Sequence, residues 1–210
     1  MILTHGANSL PRGSSDPDVI GGRKYRTTTI GTQTWLAENL DYKFDGLIIG
    51  RGPAENNTEL RANYFNNDET TYGVDGLNIG LLYNWYAVKY LNDNRDTLMP
   101  GWHVPTLDEW NTLIEFAGGS TSAGKKLKST TRWLNNGNGT DDYGFTAYPS
   151  GYYQNNSFSN IVSDADYWTM TPTANVRYAY YKYMLASNNN VADSSYIKPF
   201  QNSLRLVKDT

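Results

Sequence analysis

The sequence predicts a single α+β domain built from short antiparallel strands, one well-marked helix, a second short helix and long loops. One segment near the middle of the chain has the spacing and cap of an amphipathic helix. From Trp133 onward, short aromatic segments alternate with Asn, Gly, Asp and Ser turns. The length of 210 residues suits one domain, expected over 19–210. Residues 1–18 are polar and rich in Pro, Gly and Ser, typical of a flexible lead, a linker or an expression remnant.

The first predicted elements form a hairpin. Arg23 to Ile30 is rich in Thr and ends at Gly31, which favours a strand, and Gln33 to Leu40 is its expected partner. Asp41 to Leu77 resembles a long loop, the kind of insertion that usually carries function or lacks order. Leu81 to Leu91 is apolar and aromatic and is expected to be buried.

The best-marked helix spans about 107–117. Thr106 and Glu109 have the spacing of a capping box, Pro105 precedes them, and Gly118-Gly119 follows the last turn. A second, shorter helix is expected over 122–129, although Gly124 weakens it. The apolar face of the first helix comprises Leu107, Trp110, Leu113, Ile114 and Ala117.

Among the later strands, the best-marked are Tyr167 to Thr171, Tyr178 to Leu185 and Ser203 to Val207. Alternate residues on a strand share a face, so one face of the second strand carries Tyr178, Tyr180 and Lys182, and the other carries Tyr181 and Tyr183. One face should be core and one exposed. Exposed Tyr beside Asn and Ser suits ligand contact, whereas the alternative is an ordinary Tyr-rich sheet with Asn-rich turns.

Composition excludes several classes of protein. The chain has no Cys, which excludes disulfides, thiolate metal sites and Cys nucleophiles. A net charge of −3 without a basic block argues against nucleic-acid binding. No apolar run is long enough to span a membrane. The basic run Lys125, Lys126 and Lys128 is interpreted as a solvated helix face.

Candidate catalytic and metal-binding residues are few. His103 is interpreted as a structural residue bonded to backbone at a buried turn, with catalysis as the alternative. Glu38 and Glu109 could form a carboxylate pair, but Glu109 is assigned to the helix cap. No cofactor is predicted: Asp93 to Asp96 and Asp141-Asp142 could offer oxygen ligands to calcium, but neither has the EF-hand pattern. We therefore predict a protein that is not an enzyme and has no metal site.

An ordered set of motifs runs along the chain. The motifs are Trp35-Leu36-Ala37-Glu38-Asn39-Leu40, Gly80 to Val88, Pro100 to Thr106 with Glu109-Trp110, Ala123 to Lys128 with Trp133, Gly144-Phe145, Pro149 to Tyr152, Tyr167-Trp168 and Leu204 to Val207. Together they resemble the Fibrobacter succinogenes major paralogous domain, a family common in Bacteroidetes and their phages. The similarity extends from about Asp18 to Asp209, and it implies that Trp85, Trp102, Trp110, Trp133 and Trp168 belong to the core.

The resemblance implies a C-type-lectin-like fold related to formylglycine-generating enzymes. Those enzymes act through cysteine, which is absent from this chain. The Glu-Pro-Asn and Trp-Asn-Asp calcium motifs of sugar-binding lectins are absent too. Some members of the family are variable proteins of diversity-generating retroelements, whose variable segment would correspond here to Trp168 to Arg205. At Gln201-Asn202-Ser203-Leu204-Arg205 the chain departs from the Gly-Phe-Ser-Val-Arg pattern that precedes the last strand in relatives.

We therefore expect a protein that binds a ligand or receptor, plausibly diversified by a retroelement. The alternative is a non-variable cell-envelope module with a structural or carbohydrate-adhesion role. The expected partner is a protein or glycan on a cell or phage surface, and the expected location is extracellular, on a cell surface or on a phage tail. The predicted contact residues are Thr173, Asn175, Arg177, Tyr178, Tyr180, Ser187, Asn188, Asn190, Ala192, Asp193, Ser194, Ser195, Tyr196 and Phe200.

Overall fold

The computed structural model describes residues 18–50, 58–65 and 79–210. It confirms an α+β fold in which strands predominate and most strand pairs are antiparallel. The helices are α1 Trp85–Asp93, α2 Arg95–Leu98, α3 Leu107–Phe116 and α4 Ala123–Leu127. The strands are β1 Val19–Ile20, β2 Arg23–Lys24, β3 Thr27–Ile30, β4 Gln33–Leu36, β5 Ile48–Ile49, β6 Arg61–Asn63, β7 Leu82–Asn84, β8 Trp102–His103, β9 Tyr152–Gln154, β10 Ser157–Ser159, β11 Asp164–Pro172, β12 Tyr178–Leu185, β13 Ala192–Ile197, β14 Gln201–Asn202 and β15 Val207–Lys208.

The strands form three larger sheets and the small β1-β2 pair. The predicted hairpin is confirmed in its pairing, as β3 and β4, and it lies in a four-stranded sheet of order β3-β4-β15-β8. Its strands are shorter than predicted, because Arg23 to Ile30 is divided into β2 and β3, and β4 ends at Leu36. A second sheet has the order β10-β9-β14-β7-β6-β5, and a third has the order β11-β12-β13. The C-terminal strands β14 and β15 pair with strands from the first half of the chain, β7 in one sheet and β4 and β8 in the other. The two ends of the described domain are therefore joined through these sheets.

The predicted capping box of α3 is confirmed. The Thr106 hydroxyl accepts a hydrogen bond from the Glu109 backbone N–H, and the Glu109 carboxylate accepts one from the Thr106 backbone N–H. The helix ends at Phe116 and is capped by Ala117. The second predicted helix is the shorter α4. The 81–91 segment is buried as predicted except at Tyr86, Lys89 and Tyr90, and within it the Asn84 side chain caps α1 by accepting from the Ala87 N–H.

Two clusters of buried side chains form the core, and all five tryptophans assigned to it are buried. Trp168 illustrates how they are held: its ring is inaccessible, and its indole N–H donates to the Tyr83 carbonyl at 2.8 Å. Trp35 is buried as well and packs against Trp110 at 5.0 Å between ring centroids. The tryptophans therefore build the core that joins the sheets.

Arg205 is a buried cation that holds several loops together. Its guanidinium donates to the carbonyl of Leu36 at 2.9 Å and to the Asn39 side-chain oxygen at 2.7 Å. It also lies over the Phe145 ring, 4.3 Å from the centroid. Five N–H donors in a fixed plane let arginine satisfy several acceptors at once, so this residue fixes loops that β-ladders do not reach.

The last predicted strand is also wrong in its extent. Ser203 to Val207 is not continuous: β14 ends at Asn202, β15 begins at Val207, and Ser203 makes only an isolated bridge with Tyr167. The intervening backbone instead bonds to the β4 region, as in the hydrogen bond from Leu36 N–H to the Leu206 carbonyl.

Residues 1–17 of the predicted lead lie outside the described residues. In the parts of the chain that the structure describes, no helix has the length and apolar character needed to cross a membrane.

Candidate ligand-binding surface

The β11-β12-β13 sheet has two chemically different faces. Side chains directly opposite each other in an antiparallel ladder share a face. The register pairs Tyr183 with Asp166 and Tyr181 with both Trp168 and Ser194. Alternation along β12 therefore separates Tyr181 and Tyr183 from their neighbour Lys182.

The face that carries Lys182 packs against helix α3. The Lys182 ammonium, which is 3% exposed, contacts Asn111 of α3 at 2.9 Å and Asp193 of β13 at 3.0 Å. Met184, two residues further on, is buried in the core cluster beneath α3. This face of the sheet therefore belongs to the scaffold, and its buried Lys182 is paired with Asp193.

The opposite face lines a cleft of about 290 Å³. Its walls come from strands β9, β11, β12, β13 and β14 and from the residue just before β14. Four tyrosines, two carboxylates and two side-chain amides meet there, a combination of aromatic surface and a few polar groups that is typical of ligand sites. The described lining residues are Tyr152, Gln154, Asp164, Asp166, Tyr181, Tyr183, Leu185, Tyr196, Phe200 and Asn202.

Two carboxylates lie on the β11 side of the cleft. Asp166 is 5% exposed, and its Oδ2 atom is buried without a hydrogen-bond partner among the described residues. Burial, with a further contribution from Asp164, raises the pKa of Asp166 well above its usual range. Asp164 accepts a hydrogen bond from the Asn160 amide at 2.6 Å, yet burial still raises its pKa. The cleft therefore holds two acidic groups for which the described residues of its lining provide no compensating positive charge.

The aromatic walls are fixed by ring contacts. Tyr181 packs edge-on against buried Trp168 at 6.0 Å and lies 5.8 Å from Tyr183. Tyr196 and Phe200 are in contact with a centroid separation of 4.0 Å. Burial raises the pKa of Tyr181 to about 12, and the nearby Asp166 acts in the same direction. The Tyr181 ring is thus a neutral, oriented surface at physiological pH.

The loop formed by residues 186–191, here called the sheet loop, joins β12 to β13 and is anchored through its backbone. The Lys128 ammonium donates to the carbonyls of Leu185 at 3.1 Å and Asn188 at 2.8 Å. At its end, the Val191 N–H donates to the Ser120 carbonyl. Gly124 lies so close that an added Cβ would be 2.6 Å from the Asn189 carbonyl oxygen. The loop position is therefore set by scaffold residues that precede it in the chain.

A family comparison agrees with the sequence motifs. A family model described as the Fibrobacter succinogenes major domain matches residues 28–208. The chain belongs to this family. Neither a curated protein nor a solved structure shows a significant match. The match covers the whole β11-β12-β13 sheet, so the cleft and the sheet loop belong to the family domain.

The predicted contact residues are distributed around this sheet and its two loops. Tyr196 and Phe200 line the cleft, and Tyr178 and Tyr180 alternate onto the face that carries Lys182. Phe200 is the one buried member of the predicted set. Seven members are exposed: Asn175, Arg177, Ser187, Asn190, Asp193, Ser194 and Tyr196. Six are intermediate: Thr173, Tyr178, Tyr180, Asn188, Ala192 and Ser195.

The prediction did not include most of the residues that line the cleft. Asp164 and Asp166 sit at alternate positions of β11, as Tyr181 and Tyr183 do on β12. This alternation indicates that the residues share a face of the sheet, but it does not show which of the two faces is open to solvent. The remaining unpredicted lining residues, Tyr152, Gln154, Leu185 and Asn202, come together only through the folded chain.

The other candidate sites have different roles. His103 bonds to carboxylates, not backbone as predicted: its Nε2 lies 2.6 Å from Glu109 and its Nδ1 2.6 Å from Asp209. Burial disfavours the imidazolium, but the two carboxylates outweigh it and raise the pKa of His103. Glu38 bonds Arg23 at 2.7 Å and is not paired with Glu109.

Neither proposed calcium segment gathers ligands. Asp93 forms an ion pair with Lys89, and both oxygens of Asp141 accept from Thr146. Across the described ranges, no group of three or more His, Asp or Glu residues could hold a metal ion.

The basic run of Lys125, Lys126 and Lys128 is divided between surface and core. Lys125 is exposed, whereas Lys128 is 1% exposed, so the prediction of a solvated face is wrong for Lys128.

Proposed function

We propose that this chain is a ligand- or receptor-binding protein that uses the cleft face of the β11-β12-β13 sheet and its adjoining loops. The scaffold is taken to be C-type-lectin-like, as the family motifs imply. The observation that carries the proposal is the cleft itself, in which tyrosine rings and amides converge with a buried carboxylate whose Oδ2 atom has no partner among the described residues. A buried polar group without a partner costs folding free energy, so its retention favours a role in binding.

The surroundings of the cleft favour a recognition surface. Exposed Tyr, Arg, Asn and Ser side chains extend from it along β13 and both loops of the sheet. Tyr and Arg commonly supply most of the binding energy, while Asn and Ser supply adaptable hydrogen bonds. Since the sheet loop is held by its backbone, these side chains project from a fixed frame. We place the partner among proteins or glycans on a cell or phage surface.

Matched tyrosine variants test this assignment. Tyr196 and Tyr90 are almost equally exposed, at 40% and 39%, but Tyr90 lies on α1 and stacks on Phe44. The protein would be screened against arrayed glycans and purified surface proteins, and each bound target titrated by biolayer interferometry. Tyr196→Ala should weaken binding roughly thirtyfold or more if Tyr196 is an anchor, whereas Tyr90→Ala should not change it. Equal affinity for both variants and the parent protein would contradict the proposed surface.

Diversification by a retroelement is the finer part of the proposal. It is favoured by the family membership and by the placement of the 168–205 segment on this sheet. Deep sequencing of the 3′ end of the gene in a natural population provides the test. Substitutions confined to exposed positions of this segment, beside a reverse transcriptase and a template repeat, would support diversification. A uniform sequence without these elements would favour the non-variable cell-envelope module.

A further inference from the structure

We propose that the cleft binds an organic cation, a primary ammonium or guanidinium group, with Asp164 and Asp166 as counter-ions and tyrosine rings as walls. The inference rests on the proposed binding function and specifies the chemistry of the ligand. It starts from the β11-β12 register, which places both carboxylates on the face shared by Tyr183 and Leu185. Both aspartates line the same cleft.

Asp166 is the group that most requires a partner. It is nine-tenths buried, and its Oδ2 atom accepts no hydrogen bond from the described residues. A buried carboxylate is costly unless it is paired or protonated. Asp164, by contrast, already accepts from Asn160. A ligand donor at Asp166 would therefore satisfy an acceptor that the described part of the chain leaves unused.

The described lining of the cleft contains no basic side chain. Lys182 is adjacent in sequence to Tyr181 and Tyr183, but it faces α3 and pairs with Asp193. The titratable groups facing Asp166 are Asp164 on its own strand, Tyr152 on β9, Tyr181 and Tyr183 on β12, and Tyr196 on β13. None of these described groups can carry a positive charge, so the local field favours a positive ligand group.

The tyrosine rings reinforce this preference. The face of an aromatic ring carries negative charge density and attracts ammonium or guanidinium groups within about 6 Å. Four tyrosines line this cleft, and Tyr181 is held in place by its edge-on contact with Trp168. Carboxylates and ring faces therefore select the same sign of charge. A neutral ligand could form hydrogen bonds there but would not neutralise the charge of Asp164 and Asp166.

The size of the cleft points to a small cationic group. At about 290 Å³, it lies near the lower limit of small-molecule sites, which span about 300–1,000 Å³. The end of a lysine or arginine side chain, or a small amine, fits this volume better than an extended oligosaccharide. The exposed rim on β13 would then contact the rest of the partner.

Titration calorimetry with small probes tests the inference. The probes are the N-acetyl methylamides of lysine and arginine, with norleucine as the uncharged analogue and methyl glucoside as a neutral sugar. Binding of either basic probe, and not of norleucine, is expected. Asp166→Asn should weaken it on the order of tenfold to a hundredfold, because a charged hydrogen-bond partner is lost. Asp142→Asn makes the same chemical change on an exposed turn outside the cleft and should have no effect.

Two readouts separate binding from structure. Asp166→Asn removes an uncompensated buried acid, so its thermal stability should not fall even though it loses binding. Binding by the parent protein should tighten as pH rises through the raised pKa of Asp166, because the cation needs the ionised acid. That dependence should disappear in Asp166→Asn.

The tyrosine walls are tested with a conservative pair. Tyr183→Phe keeps the ring and should retain affinity for the basic probe, whereas Tyr183→Leu should weaken it by about threefold to thirtyfold. Failure of both basic probes to bind at millimolar concentration would overturn the cation assignment. Binding of methyl glucoside that is indifferent to Asp166→Asn would also overturn it, while leaving the proposed binding function intact. If Tyr196→Ala loses target binding but the parent protein binds neither basic probe, the proposed binding function would stand and the cation assignment would fall.

Discussion

The ammonium of Lys128 is expected to make the stability of the domain rise with pH in a mildly alkaline range. The residue is 1% exposed, and its amine donates to the carbonyls of Leu185 and Asn188 without a carboxylate partner among its described contacts. Burial, with a smaller contribution from Lys125, lowers the pKa of Lys128 from 10.5 to about 8. The folded state therefore releases this proton at a lower pH than the unfolded chain does.

The direction and magnitude follow from proton linkage. Between the folded and unfolded pKa values, the unfolded chain binds more protons, so the free energy of unfolding rises with pH. At 1.36 kcal/mol per tenfold change in proton affinity, the full contribution is about 3 kcal/mol. Between pH 7.5 and 9.5, the Lys128 contribution should increase by about 2 kcal/mol.

Lys128→Met isolates this contribution because it keeps the aliphatic stem and removes the amine. The free energy of unfolding of parent and variant would be measured by urea denaturation from pH 7 to 9.5. Their difference should change by about 2 kcal/mol in favour of the parent as pH rises. Tyrosine titration affects both proteins alike and cancels in the difference. Lys126→Met, a control with a less buried lysine, should follow the parent curve. Parallel curves for Lys128→Met and the parent would refute the reasoning.

Three further changes have defined outcomes. Trp168→Ala should cost about 3–5 kcal/mol in urea denaturation, because a fully buried ring and its bond to the Tyr83 carbonyl are lost; an unchanged midpoint would contradict the core assignment. His103→Gln should abolish the loss of stability that the parent shows as pH rises from about 6.5 through the raised pKa of His103, measured by thermal melts. The lowered pKa of Glu109 adds stability that is lost only as pH falls below about 4.5, so acid melts should separate the two groups. Gly124→Ala should cost about 1–3 kcal/mol and shift the amide resonances of the sheet loop, because its Cβ would meet loop carbonyls; native resonances would refute the close approach.

Local signals predicted much of the fold. The Thr106 capping box located α3 to within one residue, because it depends on bonds made inside a single turn. The alternation of aromatic residues located β12 at the bounds that the structure has. These features need only neighbours in sequence, and so they can be read from a single chain.

The cleft required information that is not local. Alternation on β12 defines two faces, but packing of Lys182 against α3 decides which of them is closed. Asp166 becomes a buried acid only because strands distant in sequence surround it. Lys128 lies in a basic run that resembles a solvated face, yet β12 and the sheet loop cover it. In each case, a contact between residues distant in sequence decides whether a side chain is buried, and neither its charge nor the alternation of residues along the strand predicts this.

The contacts that position the sheet loop also determine where substitutions can be tolerated. Lys128 and Ser120 bind main-chain groups, and Gly124 approaches main-chain carbonyls, so none of these contacts depends on which side chains the loop carries. Exchanging exposed loop residues can therefore change the surface chemistry of the loop without moving its backbone. Substitution at Asp166 acts differently, because it alters the chemistry inside the cleft. The proposed cation site would thus combine a fixed acidic centre with a rim whose exposed side chains can be exchanged.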